Sequence, residues 1–256
     1  WAGKRIEQKI KLYCVQHGAS YGTTLTPVFE DHEIKISDKL LTWGWKENNN
    51  KTEPFCITKY NGKKTIKTKK SGTLLFISFV TPKYVTEPQS MPVSKWLIMN
   101  QRDFDFFNLL DSEIKNLFKV RLSPIKTDWS SLKKRWSDFN SNISFSNKSN
   151  FYDDLKTSQL AVISHEGTPF LECLSINYPV IYIYDKKIEP IRGSAKVYYK
   201  KLIKAKIIHE NVKSASDHIN NIWKNVDEWW DSKEVQLAIK EFSRQYAKKI
   251  NSPKKR

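Results

Sequence analysis

Residues 163 to 172 read Ile-Ser-His-Glu-Gly-Thr-Pro-Phe-Leu-Glu, and their types and spacing fit the end of a buried strand turning into a helix. The apolar run Leu160 to Ile163 stops at Ser164-His165-Glu166-Gly167-Thr168, and a second apolar run, Val180 to Tyr184, follows soon after. Gly167 lets the backbone approach a ligand closely, Pro169 suits the first helical position, and Thr168 is the natural N-cap. The free N–H groups at such a helix start, with the helix dipole, favour an anion. Glu172 falls one turn in, one place too late for a capping box with Thr168. It either meets the dipole or accepts hydrogen bonds from the hydroxyls of a ligand. Neither G-x-G-x-x-G nor G-x-x-x-x-G-K-[ST] occurs, which argues against dinucleotide and P-loop sites.

The surrounding elements must position this loop. The segment 10–18 reads as a buried strand ending at His17-Gly18, and 32–45 as a second strand alternating around Ile34, Ile36 and Leu40. A linker rich in Asn, Lys and Gly covers 46–72. A fresh strand at 72–80 opens a new unit, and Phe107, Leu110, Ile114 and Leu117 mark one face of a helix within 94–118. The segment 119–124 is strand-like and ends at Pro124. Brief helices follow at 130–139 and 150–158, then strand 160–164, helix 169–177 and strand 180–184. Helices at 214–224 and 232–248 close the chain, the latter opened by Asp231 with Glu234 as a capping box. From residue 72 onward strands alternate with helices, which predicts an α/β, Rossmann-like fold with a mostly parallel sheet covered on both faces.

The 256 residues are 39% hydrophobic and 13% aromatic, enough for a real core in one large domain or two smaller ones. Cys14, Cys56 and Cys173 lie in or near apolar runs without C-x-x-C spacing, as expected of reduced thiols in a cytoplasmic protein. No cluster of His, Cys and carboxylates has ligand spacing, so no metal is expected. No apolar run approaches membrane-span length and no signal-peptide pattern opens the chain. The start at Trp1, almost directly on a strand-like segment, reads as a fragment of a longer protein. The formal charge of +17, from 44 Lys and Arg against 27 Asp and Glu, suits an anionic partner, although the lysines are scattered through every segment.

The stretch SHEGTPFLECLSINYPVI resembles a Ser-x-x-x-Thr-Thr-Phe-Leu-Glu-x-Leu-x-x-x-x-Pro-x-Ile pattern. That pattern belongs to a family of transferases encoded in bacterial O-antigen and surface-polysaccharide loci, and more broadly to the nucleotide-binding half of GT-B glycosyltransferases. QHGASYG and FEDHEIKISDKLLTWGW resemble two further blocks of the same family, as do KVRLSP, RGSAKVYY and the C-terminal stretch from His218. The likeness spans nearly the whole chain in order. It implies that residues 1–70 end an acceptor-side Rossmann-like domain and that 71–256 form a C-terminal domain binding a nucleotide-sugar donor.

The resemblance also implies roles. His17 would face the interdomain cleft as a base toward an acceptor hydroxyl or as a phosphate contact, or else cap the turn before Gly18. Arg121 would clamp a phosphate or make a surface salt bridge. Ser164, Gly167 and Thr168 would hold the phosphates, although Pro169 replaces a family Thr, and Glu172 would hold a ribose diol. Glu189 and Arg192 resemble a sugar-facing Glu-x-Arg. Ser123-Pro124 stands where related sugar transferases carry His-Pro, so no imidazole role transfers there. His165 is either a ligand contact or a variable loop residue. The implied reaction is a metal-independent sugar transfer without cofactor, from a nucleotide-sugar to a glycan or lipid-linked acceptor. It would take place in the cytoplasm, with peripheral contact at an acidic membrane face. The alternatives are a nucleotide-sugar epimerase-like enzyme, a basic nucleic-acid-binding module suggested by charge alone, and a non-catalytic remnant. The apolar placing of the aromatics speaks against specific nucleic-acid binding.

Overall fold

Two parallel sheets organise this computed structural model, which describes residues 2–48, 50–59, 65–66, 68–79, 93–122 and 132–250. The first sheet holds β1 (Tyr13–Val15), β2 (Lys39–Thr42) and β3 (Thr52–Pro54) in that order. The second holds β4 (Thr73–Ile77), β5 (Phe118–Arg121), β6 (Ser144–Phe145), β7 (Ser158–Ile163), β8 (Val180–Ile183) and β9 (Ile208–His209). Its spatial order is β6-β5-β4-β7-β8-β9, with every pairing parallel. The chain therefore builds outward from β4, crosses back, and builds outward again from β7. This is the doubly wound order expected of a Rossmann-like sheet, and it splits the connections between β4 and β7.

Side-chain alternation assigns each strand residue to a face. Leu74, Phe76, Leu160, Val162, Ile181 and Ile183 join one cluster, with Trp96, Phe106 and Leu110 of the helical stretch and Trp136. Leu75, Ile77, Ala161, Ile163, Val180 and Tyr182 join the other, with Phe170, Leu174, Tyr199 and Phe242. Residues buried on both faces explain why β7 and β8 read as continuous apolar runs. The second cluster also takes in Leu40, Trp43, Trp45 and Ile57, so the first sheet shares a core with the second. The chain end reinforces this join: Lys248 N–H donates to Trp43 O, and Ile57 N–H donates to Lys248 O, each at 2.8 Å.

Several local expectations are corrected. β1 is an edge strand with Tyr13 and Val15 exposed, rather than a buried one. Ile34 and Ile36 belong to the helix Val28–Ile36, so the expected second strand is shortened to β2. The helix faces inward with Glu30, Glu33 and Ile34, spaced three and four apart. Such a face carries carboxylates where periodicity seeks apolar residues. The expected linker contains β3. The helical stretch after β4 divides into Val93–Asn108 and Ser112–Asn116. The helix Gly193–Lys204 was not anticipated from periodicity, although Ala195, Tyr199 and Leu202 give it an inward stripe at spacings of four and three. The last long helix runs Lys233–Tyr246 with Ser232 at its N-cap and no side-chain cap bond, so the Asp231–Glu234 capping box does not form. The Ser123-Pro124 step lies outside the described residues, as do the start of the 130–139 segment and the basic tail.

Candidate functional site

The carboxyl ends of β4 and β7 lie side by side where the strand order reverses, which in open α/β sheets is the position of the ligand crevice. A cleft of about 730 Å³ opens there. Ile77, Ser78 and Phe79 line it from the end of β4 and the residues just after it, Arg121 and Leu122 from the end of β5 and the residue after it, and His165 to Pro169 with Glu172 from the loop and helix after β7. Ser149 to Phe151 and Lys59 complete the wall.

The helix after β7 runs Thr168–Ser175, with Gly167 rather than Thr168 at the N-cap and Pro169 at the second helical position. The Thr168 hydroxyl is used differently: it accepts the Ala19 N–H at 3.2 Å, tying the His17 loop to the helix start. No described group accepts the N–H of Gly167 or Thr168. These amides lie at the positive end of the helix, where Gly167 and Thr168 both line the cleft. Gly167 is extended, at φ −156°, so its glycine is not required by backbone conformation. A Cβ there would stand 2.8 Å from His165 Nε2. The helix closes at Asn177, left-handed at φ 54°, with Tyr178 N–H donating to Cys173 O, and the chain drops directly into β8.

Glu172 is buried, and Lys59 Nζ lies 2.7 Å from its Oε1. Lys59 went unnoticed in the sequence because it sits in a segment that reads as linker. His165 tilts against Phe79 with ring centroids 5.0 Å apart. Burial, then the nearby Arg102 charge, lower its pKa to about 4, which leaves the imidazole neutral at pH 7. Beneath the cleft floor, burial raises Asp103 to about 7 against the opposing pull of Arg102. Arg102 donates to the Ser164 carbonyl and so fixes the strand end. Neither Arg102 nor Asp103 was singled out from the sequence, since they occupy ordinary helix positions.

The expected site residues divide into two groups. Arg121, Gly167, Thr168 and Glu172 meet in the cleft. Ser164, Glu189, Arg192 and His17 are not among the residues lining it. Ser164 is fully buried below the loop. Glu189 is buried beside it: its carboxylate accepts the Glu166 N–H, and its other oxygen accepts the Tyr182 hydroxyl at 2.6 Å. Burial and the Glu189 charge push Glu166 up to about 8, while Glu166 accepts the Thr23 hydroxyl at 3.0 Å. Arg192 joins the two sheets' surroundings, donating to Glu30 at 2.9 Å, Glu47 at 3.2 Å and Thr24 O at 3.0 Å. Arg121 pairs with the buried Asp154 and donates to Lys148 O at 2.9 Å, so its guanidinium is held inside the protein at the cleft's edge.

His17 is 62% exposed on the loop after β1. Its Nδ1 lies 3.1 Å from the Tyr21 hydroxyl and 3.5 Å from Glu33 Oε1. A carboxylate behind one ring nitrogen orients the imidazole and leaves the other outward. The loop is tied to the Trp43–Trp45 turn because Gln16, buried, accepts both Trp43 N–H at 2.8 Å and Trp45 Nε1–H at 3.0 Å. The two blocks Gln-His-Gly and Trp-Gly-Trp are thus one structural unit.

A family model described as LIC12162 family transferase matches residues 1–256. No curated protein matches the chain. Among solved structures it is similar to the glycotransferase of kitacinnamycin (10% identity, TM-score 0.40, 84% of this chain). It is also similar to the wall teichoic acid polymerase TagF with CDPG (12%, 0.45, 86%) and to WaaG, a glycosyltransferase involved in lipopolysaccharide biosynthesis (13%, 0.40, 99%). The chain spans 52%, 56% and 70% of those three proteins respectively. Among the described residues no helix is long and apolar enough to cross a membrane.

Proposed function

Because the chain belongs to the LIC12162 family of transferases, we propose that it transfers a sugar from a nucleotide-activated donor seated in the β4–β7 cleft. The observation that carries this reading is the pairing, in one cleft, of the unengaged Gly167 and Thr168 amides with the buried Glu172 carboxylate. Helix-start amides suit the phosphates, and a carboxylate one turn deeper suits a ribose diol. As the bond to the sugar breaks, negative charge grows on the departing phosphate, and prearranged amides stabilise that charge more than they stabilise the ground state.

The acceptor enters from the side of the first sheet, where His17, oriented by Glu33, takes the proton from its hydroxyl. In this reading residues 1–70 end the acceptor-side domain. The acceptor is a glycan or lipid-linked saccharide of a surface-polysaccharide pathway, and the formal charge of +17 favours phosphorylated carriers and an acidic membrane face.

Calorimetric titration with CMP, CDP, UDP and GDP tests the donor site. One nucleotide is expected to bind, with Glu172→Ala weakening it by about tenfold or more, as loss of hydrogen bonds to a charged group implies. Absence of binding by all four nucleotides defeats the reading.

A further inference from the structure

Lys59 is the one residue from the first 70 that lines the β4–β7 cleft among the described residues, and it reaches the cleft's buried carboxylate. Its base is fixed: Cys56 and Ile57 are fully buried, and Ile57 N–H donates to Lys248 O at 2.8 Å. Its head is not enclosed. The Lys59 side chain is 59% exposed, whereas that of Glu172 is 1% exposed. Glu172 therefore depends on a partner in a way that Lys59 does not, because an ionised carboxylate removed from water and left uncompensated is strongly unfavourable.

A ligand diol that docks on Glu172 offers its oxygens two O–H donors and takes over the compensation. The ammonium, on a flexible four-carbon stem, then gives up its contact with Glu172 in the same cleft that Gly167 and Thr168 line. We propose that Lys59 exchanges partners when the donor binds, leaving Glu172 for the diphosphate, so that the site selects nucleoside diphosphates over monophosphates. This rests on the nucleotide-sugar reading above and adds the group that would read the second phosphate. A cation at that point also neutralises charge on the leaving diphosphate without a bound metal ion.

The test is calorimetry on the full chain with CMP and CDP, UMP and UDP, and GMP and GDP. The proteins are wild type, Lys59→Met, Lys59→Gln and Lys59→Arg, with folding checked by circular dichroism. For the nucleoside that binds, Lys59→Met and Lys59→Gln are expected to weaken the diphosphate by about tenfold or more and the monophosphate by less than about threefold. Lys59→Arg, which keeps the charge, is expected to stay within about threefold for both. Lys59→Gln keeps a hydrogen-bond donor to Glu172 and decides the matter should the methionine variant fail to fold. Equal losses for the two ligands, no loss, or tighter binding overturns the proposal, the last showing that Lys59 only masks Glu172. Should wild type bind none of the six nucleotides, the donor reading falls and Lys59's role falls with it. A wild type that binds, with variants that do not discriminate, removes Lys59's role alone.

Discussion

Arg121→Met separates a structural role for this residue from a ligand-binding one. The Asp154 side chain is 1% exposed and Arg121's 13%, so the pair is desolvated on both sides. Removing the guanidinium leaves a buried carboxylate whose remaining support is the Ser146 hydroxyl, 2.6 and 2.7 Å from its two oxygens. That hydroxyl has one proton to give, so it compensates only part of the charge. Breaking a buried pair costs about 3–5 kcal/mol. The retained Ser146 bond places the expectation near the lower end, and the lost bond to Lys148 O adds about 1 kcal/mol. The expected destabilisation is therefore about 4 kcal/mol, read as a fall in the urea midpoint of at least about 1 M. The double change Arg121→Met with Asp154→Asn is expected to recover more than half of it, because no orphaned charge remains. A single variant that keeps its midpoint within about 0.3 M of wild type while losing nucleotide affinity refutes this reasoning and restores Arg121 as a phosphate clamp.

Two further outcomes follow from the loops that hold the cleft. Gly22 has φ +73°, and a Cβ there would stand 2.6 Å from the Trp45 ring. Gly22→Ala is expected to cost about 3 kcal/mol through left-handed strain and overpacking, measured by urea unfolding, and a loss under about 1 kcal/mol would contradict the geometry. Glu166, raised from 4.5 to about 8 by burial and then by Glu189, holds a proton in the folded chain that the unfolded chain gives up. Between pH 4.5 and about 8 the folded state binds more protons, so this group's contribution to stability falls as pH rises through that window. Thermal melts of Glu166→Gln at pH 5.5 and 8.5 are expected to show a weaker pH dependence than wild type, and an unchanged dependence would count against the shift.

The amino-acid order alone established the second sheet's character. Runs such as Leu160 to Ile163 and Val180 to Ile183 are apolar at every position, and only strands covered on both faces want that. Their alternation with helices foretold a parallel sheet, and the loop from Ser164 to Thr168 announced a helix start at a strand's carboxyl end. These signals are local: a strand and the turn that ends it are written in neighbouring residues.

Tertiary structure decided which side chains face the cleft and which are consumed in holding it. Glu30 lies on the inner face of a helix because Arg192, 162 residues later, neutralises it, and no periodicity in 28–36 encodes that partner. Arg121 is held by Asp154, Thr168's hydroxyl by Ala19, and Glu189 by the Glu166 amide and Tyr182. Lys59 joins the cleft through an ion pair spanning 113 positions of sequence (172 minus 59). Burial and charge pairing depend on what the fold brings alongside, so the same residue types read as a binding cluster or as structural ties until the chain is folded.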